Sequence, residues 1–234
     1  MRTWRFSPVS DPAAGLAEIA GYALNYDPGA AGGHGWHHDR LRHTLAVEDP
    51  GDPEPGGPWE IACALVRDYE FSDRHIMSAM FHSGAPLVGR DMLLEGRFLV
   101  LRLPMGVRVD AEIDETRERA DGATERAWGW SYRTLEHHLE RGRLVYEVVK
   151  NTTTGRVEFV ITGVSSRATI RNPVLAVGFT VFGRVTQRRF YRTVAHKLAD
   201  RVRAVLEGGD RPVPDPIGPD DVVRAPARDF VSSR

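Results

Sequence analysis

Between Asp91 and Ala168 the apolar residues recur at every second position, and from Pro173 to about Leu206 at every third or fourth. Side chains alternate between the faces of a strand but return to one face of a helix every 3.6 residues, so the change of period divides the chain into strands followed by one helix. Met92, Leu94, Phe98 and Val100 share one parity, with Asp91, Glu95 and Arg97 between them. After Pro104 the alternation resumes, with Met105, Val107, Val109, Ala111 and Ile113 on one side and Arg108, Asp110, Glu112 and Asp114 on the other. A charged turn, Glu115 to Glu125, leads to Trp128, Trp130 and Tyr132, then to Leu144, Tyr146 and Val148. The turn Thr153-Thr154-Gly155 leads into Val157, Phe159 and Ile161. Each run describes a strand with one packed face.

The helix carries Val174, Val177, Val181, Val185, Phe190, Val194, Leu198 and Val202 on helical spacing, and Gly208-Gly209 ends it. About 30 residues at about 1.5 Å each give about 45 Å, enough to cross a sheet. With no helices between the strands, a doubly wound fold is excluded. The fold class is α+β of the helix-grip type: a curved antiparallel sheet wrapped around a long C-terminal helix. A helix across a curved sheet leaves a space between the layers, and such spaces are apolar ligand cavities with a few polar groups.

Three stretches rich in Pro, Gly and acid punctuate the chain: Asp27 to Gly35, Glu48 to Pro58, and Gly208 onward. They set the expected organisation: residues 1–58 as an N-terminal extension with a His-rich loop packed on the domain, 59–207 as the helix-grip domain, and 208–234 as a flexible tail. Trp59, Ala62, Cys63, Val66 and Tyr69 predict a helix from Trp59 to roughly Met80, broken at Ser72-Asp73, where Asp73 would cap a second short helix.

Composition excludes several classes. Lys and Arg number 31 against 32 Asp and Glu, a net charge of −1, which gives no electrostatic basis for binding nucleic acid. The single cysteine, Cys63, sits among Ile61, Ala62, Ala64 and Leu65, reads as a buried inert thiol, and fits a cytoplasmic location. No apolar stretch reaches the roughly 18 residues of a membrane span, and no signal-peptide pattern opens the chain. No Gly-rich dinucleotide or phosphate loop and no nucleophile elbow is visible, so no cofactor is expected. The oligomeric state has no signature.

The upstream LNYDP (24–28) and GWHHDRLRHTL (35–45), the strand segments GRDMLLEGRF (89–98) and MGVRVDAEIDE (105–115), and above all WGWSYRTLEHHLERGRLVYEV (128–148) resemble a family of uncharacterised proteins, DUF1990 or UPF0548. VSSRATIRNPVLAVGFTVFGRVTQRRFYR (164–192) matches it too. The resemblance implies a fold related to the Bet v 1, START and polyketide-cyclase group. It brings no established activity and no catalytic residues.

The candidate site residues follow from residue chemistry. Trp128, Trp130 and Tyr132, with Tyr146 on the next strand, pack a core or form a ligand wall, since each offers an apolar face plus one directed hydrogen bond. His138, beside Glu136 and Glu140, is a candidate general base because imidazole titrates near neutrality, or else part of a solvated hairpin. Glu95 and Arg108 are either exposed ion-pair partners or polar groups of the cavity, depending on which sheet face is inside. His34, His37, His38, Asp39, Arg40 and His43 form a cluster that lacks a metal-site pattern and reads as a loop closing over the cavity, with Asp39 paired to Arg40, or as ordinary surface. Gln187, Arg188, Arg189, Arg192, Lys197, Arg201 and Arg203 read as the solvated face of the helix.

The function expected is binding of an apolar small molecule between sheet and helix, with cofactor-independent cyclase, dehydratase or isomerase chemistry at His138, Glu95 and Arg108 as its enzymatic form. The alternatives are a non-catalytic carrier or sensor of a lipid-like ligand, and a protein-interaction module using the tail and the basic helix face.

Overall fold

The computed structural model describes residues 9–30, 35–98, 101–167, 173–218 and 221–228, with side chains throughout except at 30, 98, 101, 167 and 173–189. Its elements run α1 (Pro12–Ala20), β1 (Trp36–Val47), α2 (Pro58–Arg67), β2 (Met77–His82), β3 (Asp91–Phe98), β4 (Leu101–Glu118), β5 (Thr124–Thr134), β6 (Glu140–Asn151), β7 (Arg156–Arg167), α3 (Pro173–Leu206), β8 (Asp215–Pro216) and β9 (Val222–Ala225). Among the described residues the strands form one sheet in the order β1-β7-β6-β5-β4-β3-β2-β9-β8, every pair antiparallel. The long C-terminal helix lies against β1 and α2. This is the helix-grip architecture.

Alternation gives the sheet two different faces. The concave face carries Met92, Leu94, Val107, Trp130, Tyr146, Phe159 and Ile161, packed in one core with Trp59 and Leu65 of α2 and Val194, Leu198 and Val202 of α3. The convex face carries Met80 and Leu93, covered by Leu16 and Ile19 of α1. Asp11 caps α1 by accepting from the Ala14 N–H at 2.9 Å. Bulges between Thr44 and Ala46 and between Val109 and Ala111 add the local bend that a sheet curling around a helix needs.

Several sequence expectations require correction. Trp36–Val47 is a 12-residue edge strand paired along its length with β7, not a loop. The second short helix after Asp73 is instead β2, pairing with β3 from Met77↔Gly96 to Met80↔Leu93. Pro104 does not end a strand. It lies inside β4 opposite Glu95, on a stretch that β5 does not reach because that pairing starts at Val107↔Thr134, so its missing donor leaves no partner unsatisfied. The bulge after Val109 inverts the alternation: Glu112 comes to face Trp130 and Asp114 to face Trp128, on the concave side.

The stretch after Gly208 also departs from the expected flexible tail over its described residues. β9 extends the sheet beside β2, and Arg74 ties it down through Asp215 at 2.6 Å and the Pro226 carbonyl. Behind it, the Glu70 carboxylate accepts the Ala227 N–H at 2.8 Å and pairs with Arg201 of α3. These pairings, not a local apolar period, order the segment.

Candidate functional site

The concave face is built in cross-strand rows. One row sets Leu41, Ile161, Tyr146 and Trp130 side by side, and the next sets Asp39, Gly163, Leu144 and Tyr132. Trp130 and Tyr146 are fully enclosed, with ring centroids 5.2 Å apart. Tyr132 lies 6.1 Å from Tyr146 and keeps some accessible surface.

Two further tyrosines join them. The Trp130 indole donates to the Val66 carbonyl at 3.0 Å and so holds the end of α2 on the sheet. Just beyond, Tyr69 takes a left-handed backbone conformation, φ 59°, which costs a non-glycine residue about 1–2 kcal/mol. That turn directs its ring inward, 6.4 Å from Tyr146. From α3 comes Tyr191. A Cβ on Gly163 would stand 2.8 Å from its hydroxyl, so glycine there makes room for the phenol.

Burial raises the pKa of the Tyr69, Tyr132 and Tyr146 phenols, and the neighbouring phenols raise Tyr132 and Tyr146 further. All are neutral at physiological pH and present O–H groups in apolar surroundings. The Tyr69 hydroxyl approaches Tyr146 and Ser72, and the Tyr146 hydroxyl approaches Tyr132, but among the described residues neither hydroxyl makes a well-formed hydrogen bond. Leaving such a buried group unsatisfied costs about 1–3 kcal/mol. The cluster is therefore a set of neutral donors with spare capacity, suited to an oxygen acceptor.

The sequence-derived candidates divide between the faces. Trp130, Tyr132 and Tyr146 come together. Trp128 shares their strand face but stands at the rim, where its indole donates to Glu112 at 3.0 Å and Arg67 lies over its ring at 5.0 Å. His37 and Asp39 belong to the same face at the β1 edge, whereas His38 and Arg40 alternate to the opposite one, so Asp39 and Arg40 cannot pair as expected. Among the described residues no three His, Cys, Asp or Glu side chains gather as a metal site requires, and His34 lies outside those residues.

Glu95 and Arg108 lie on the convex face and do not meet the tyrosines. Arg108 pairs with Asp91 at 2.6 Å and donates to the Ala20 carbonyl at 3.1 Å, anchoring the end of α1. Glu95 accepts the Val9 N–H at 2.9 Å. His138 sits in the β5–β6 turn, where the Glu140 N–H donates to its Nδ1 at 3.0 Å. Burial pushes its pKa down to about 4, so it is neutral and a much weaker base than the sequence suggested. Nearby, Asn25 hydrogen-bonds Thr134 and donates to the Glu140 carbonyl at 3.2 Å, and Leu24 bridges Leu135. The upstream LNYDP segment thus braces the turn that carries His138.

Sequence reasoning missed Tyr69 and Tyr191 as members of the site. Tyr69 read as one more position of a helix, and no glycine or proline announced its turn. Tyr191 follows Phe190, and only the opposing Gly163 could have hinted at a close approach.

Comparison with known proteins gives a family. A family model described as a domain of unknown function, DUF1990, matches residues 23–197. Among solved structures the chain is similar to Ara h 8.0201, at 12% identity and a TM-score of 0.42, covering 73% of this chain and 99% of that one. It is similar also to the ZhuI aromatase/cyclase from Streptomyces sp. R1128, at 13% identity and a TM-score of 0.44, covering 74% and 100% respectively. No curated protein matches the chain. Among the described residues no helix is long and apolar enough to cross a membrane.

Proposed function

The chain belongs to the DUF1990 family, and from that premise and the concave-face geometry we propose that it binds an apolar small molecule carrying a hydrogen-bonding oxygen, seated against Tyr132, Tyr146 and Tyr69. The observation that carries this reading is the pair of enclosed Tyr69 and Tyr146 hydroxyls, which meet one another, Ser72 and Tyr132 without a well-formed hydrogen bond, beside a Tyr132 that keeps accessible surface. A ligand oxygen accepting from either phenol would satisfy a group otherwise left unpaired, while the rings of Trp130 and Phe71 supply apolar contact.

The carrier or sensor form of this reading is favoured over acid–base turnover. His138 is held neutral with a pKa near 4 and is engaged by the Glu140 backbone, and Glu95 and Arg108 lie across the sheet. The groups left at the cluster are neutral donors, which hold and polarise an oxygen without removing a proton.

Native mass spectrometry of the protein purified from its own host tests the proposal. The wild type is expected to retain a small molecule. The double variant Tyr69→Phe/Tyr146→Phe, which removes the two poorly partnered oxygens and keeps the rings, is expected to fold at least as stably as the wild type and to lose about tenfold in occupancy. An empty wild type, or equal retention by the variant, would reject the reading.

A further inference from the structure

The convex face holds a second group of buried, unpaired donors, formed where β4, β3, β2 and β9 lie side by side. Arg97 of β3 stands directly opposite Arg102 of β4, two residues along from the Glu95↔Pro104 pair. Like charges placed opposite one another in a sheet repel. Nothing among the described residues neutralises this pair: the Arg97 Nε and an Arg102 terminal nitrogen are buried without hydrogen-bond partners. Ser78 of β2 pairs in register with Glu95, is 0% exposed, and its hydroxyl is unpartnered. Arg224 of β9 completes the group, with its Nε also unpartnered, one terminal nitrogen 3.8 Å from Glu95 and the other donating to the Met80 sulfur at 3.2 Å.

Glu95, opposite Ser78, is 2% exposed, accepts the Val9 N–H and faces Arg224, while Arg97 and Arg102 add two further positive charges on the same face. The elementary charges leave an excess of two positive. Burying donors without acceptors is costly, and two like charges opposed in register on β3 and β4 make a strained surface unless an acceptor fills it. Guanidiniums match tetrahedral oxyanions through paired N–H groups, and a dianion balances the excess charge.

We propose that Ser78, Arg97 and Arg102 form a binding site for a phosphate group on the convex face, separate from the tyrosine cluster. Glu95 orients Arg224 from within and fixes the segment at Val9. The same chemistry serves a free phosphate and a phosphate monoester headgroup at a membrane surface.

The test uses the full chain and two probes: inorganic phosphate followed by calorimetry at constant ionic strength with chloride as reference, and co-sedimentation with phosphatidylcholine vesicles with or without phosphatidic acid. Wild type binds at least one of the phosphate probes saturably. Arg97→Gln/Arg102→Gln weakens that binding by about tenfold or more, whereas Arg203→Gln, an exposed arginine on α3, leaves it unchanged. Binding of inorganic phosphate assigns a soluble ligand, and binding of phosphatidic acid vesicles alone assigns a headgroup. Ser78→Ala removes a single unpaired hydroxyl and provides the same decision should the arginine variant fail to fold, with a severalfold loss expected. Absence of saturable binding to both probes overturns the proposal, as does binding that survives both sets of substitutions.

Discussion

The indole N–H of Trp130 donates to the backbone carbonyl of Val66 at 3.0 Å, joining the middle of β5 to the last turn of α2. A helix leaves its final carbonyls without partners in the helix. Here side chains take up two of them, since Arg90 also reaches the Arg67 carbonyl at 3.4 Å. The contact decides where α2 stops on the sheet, and so where the left-handed turn delivers Tyr69.

Replacing Trp130 by Phe keeps an aromatic ring but deletes the donor and part of the buried volume. The Val66 carbonyl keeps the Tyr69 N–H at 3.2 Å, so one lost hydrogen bond and a small cavity together predict a loss of about 1–3 kcal/mol. Urea unfolding followed by circular dichroism measures it. A midpoint equal to that of the wild type would mean that the indole hydrogen bond does not hold α2.

At the far end of the sheet, Lys150 and Glu48 form an ion pair at 2.6 Å with both side chains 0% exposed. Glu48 also accepts the Trp59 N–H at 2.7 Å at the start of α2, and Lys150 donates to the Asp52 carbonyl at 2.8 Å, so the pair closes the Pro- and Gly-rich loop onto the sheet. Lys150→Met leaves a buried carboxylate without its cation and is expected to cost about 3–5 kcal/mol. Adding Glu48→Gln removes the stranded charge. The double variant should therefore be no less stable than the single one by chemical denaturation, and additive losses would contradict the account.

What could be read from the sequence depended on whether a residue's neighbours in the chain or its neighbours in space set its conformation. In β5 to β7 the inner positions Trp130, Tyr146 and Ile161 are large and apolar, so a period of two was visible and the sheet followed from it. Pro173 and Gly208, the latter at φ 94°, bracket α3 and made both of its ends legible. β1 hid because polar residues occupy both parities, His37 with His38 and Arg40 with His43. It is an edge strand, and its partner β7 is more than 100 residues away in the chain. The site was half legible. Strand aromatics announced Trp130, Tyr132 and Tyr146, but Tyr69 depends on a left-handed turn made by a residue that rarely adopts it. The inner or outer place of Glu112 turned on a single bulged residue.

Deleting residues 211–234 removes β9 from the edge of β2 and withdraws the Ala227 N–H from the Glu70 carboxylate. The Glu70–Arg201 pair then loses its cover, and β2 presents unpaired backbone groups. The expected loss is at least about 3 kcal/mol, together with concentration-dependent association through the bared edge. Urea titration and size-exclusion chromatography at two concentrations measure both effects. A deletion variant that is monomeric and as stable as the full chain would mean that the segment contributes nothing to the sheet.

His138 should give the fold a pH dependence of known sign. Its side chain is 8% exposed, and burial lowers its pKa from 6.5 to about 4. Between those values the unfolded chain binds a proton that the folded chain refuses. Stability therefore falls as pH drops through 6.5, and the loss is complete near pH 4. At about 1.4 kcal/mol per pKa unit the full effect is about 3 kcal/mol. His43, lowered by burial and then by His196, acts with the same sign, but it remains in a His138→Gln variant and cancels in the difference. Between pH 7.5 and 4.5 the urea midpoint of the wild type should fall relative to that of His138→Gln, because only the wild type loses this contribution. Parallel curves would mean that His138 is protonated as readily in the folded chain as in the unfolded one, and its place in the β5–β6 turn would then be open to water.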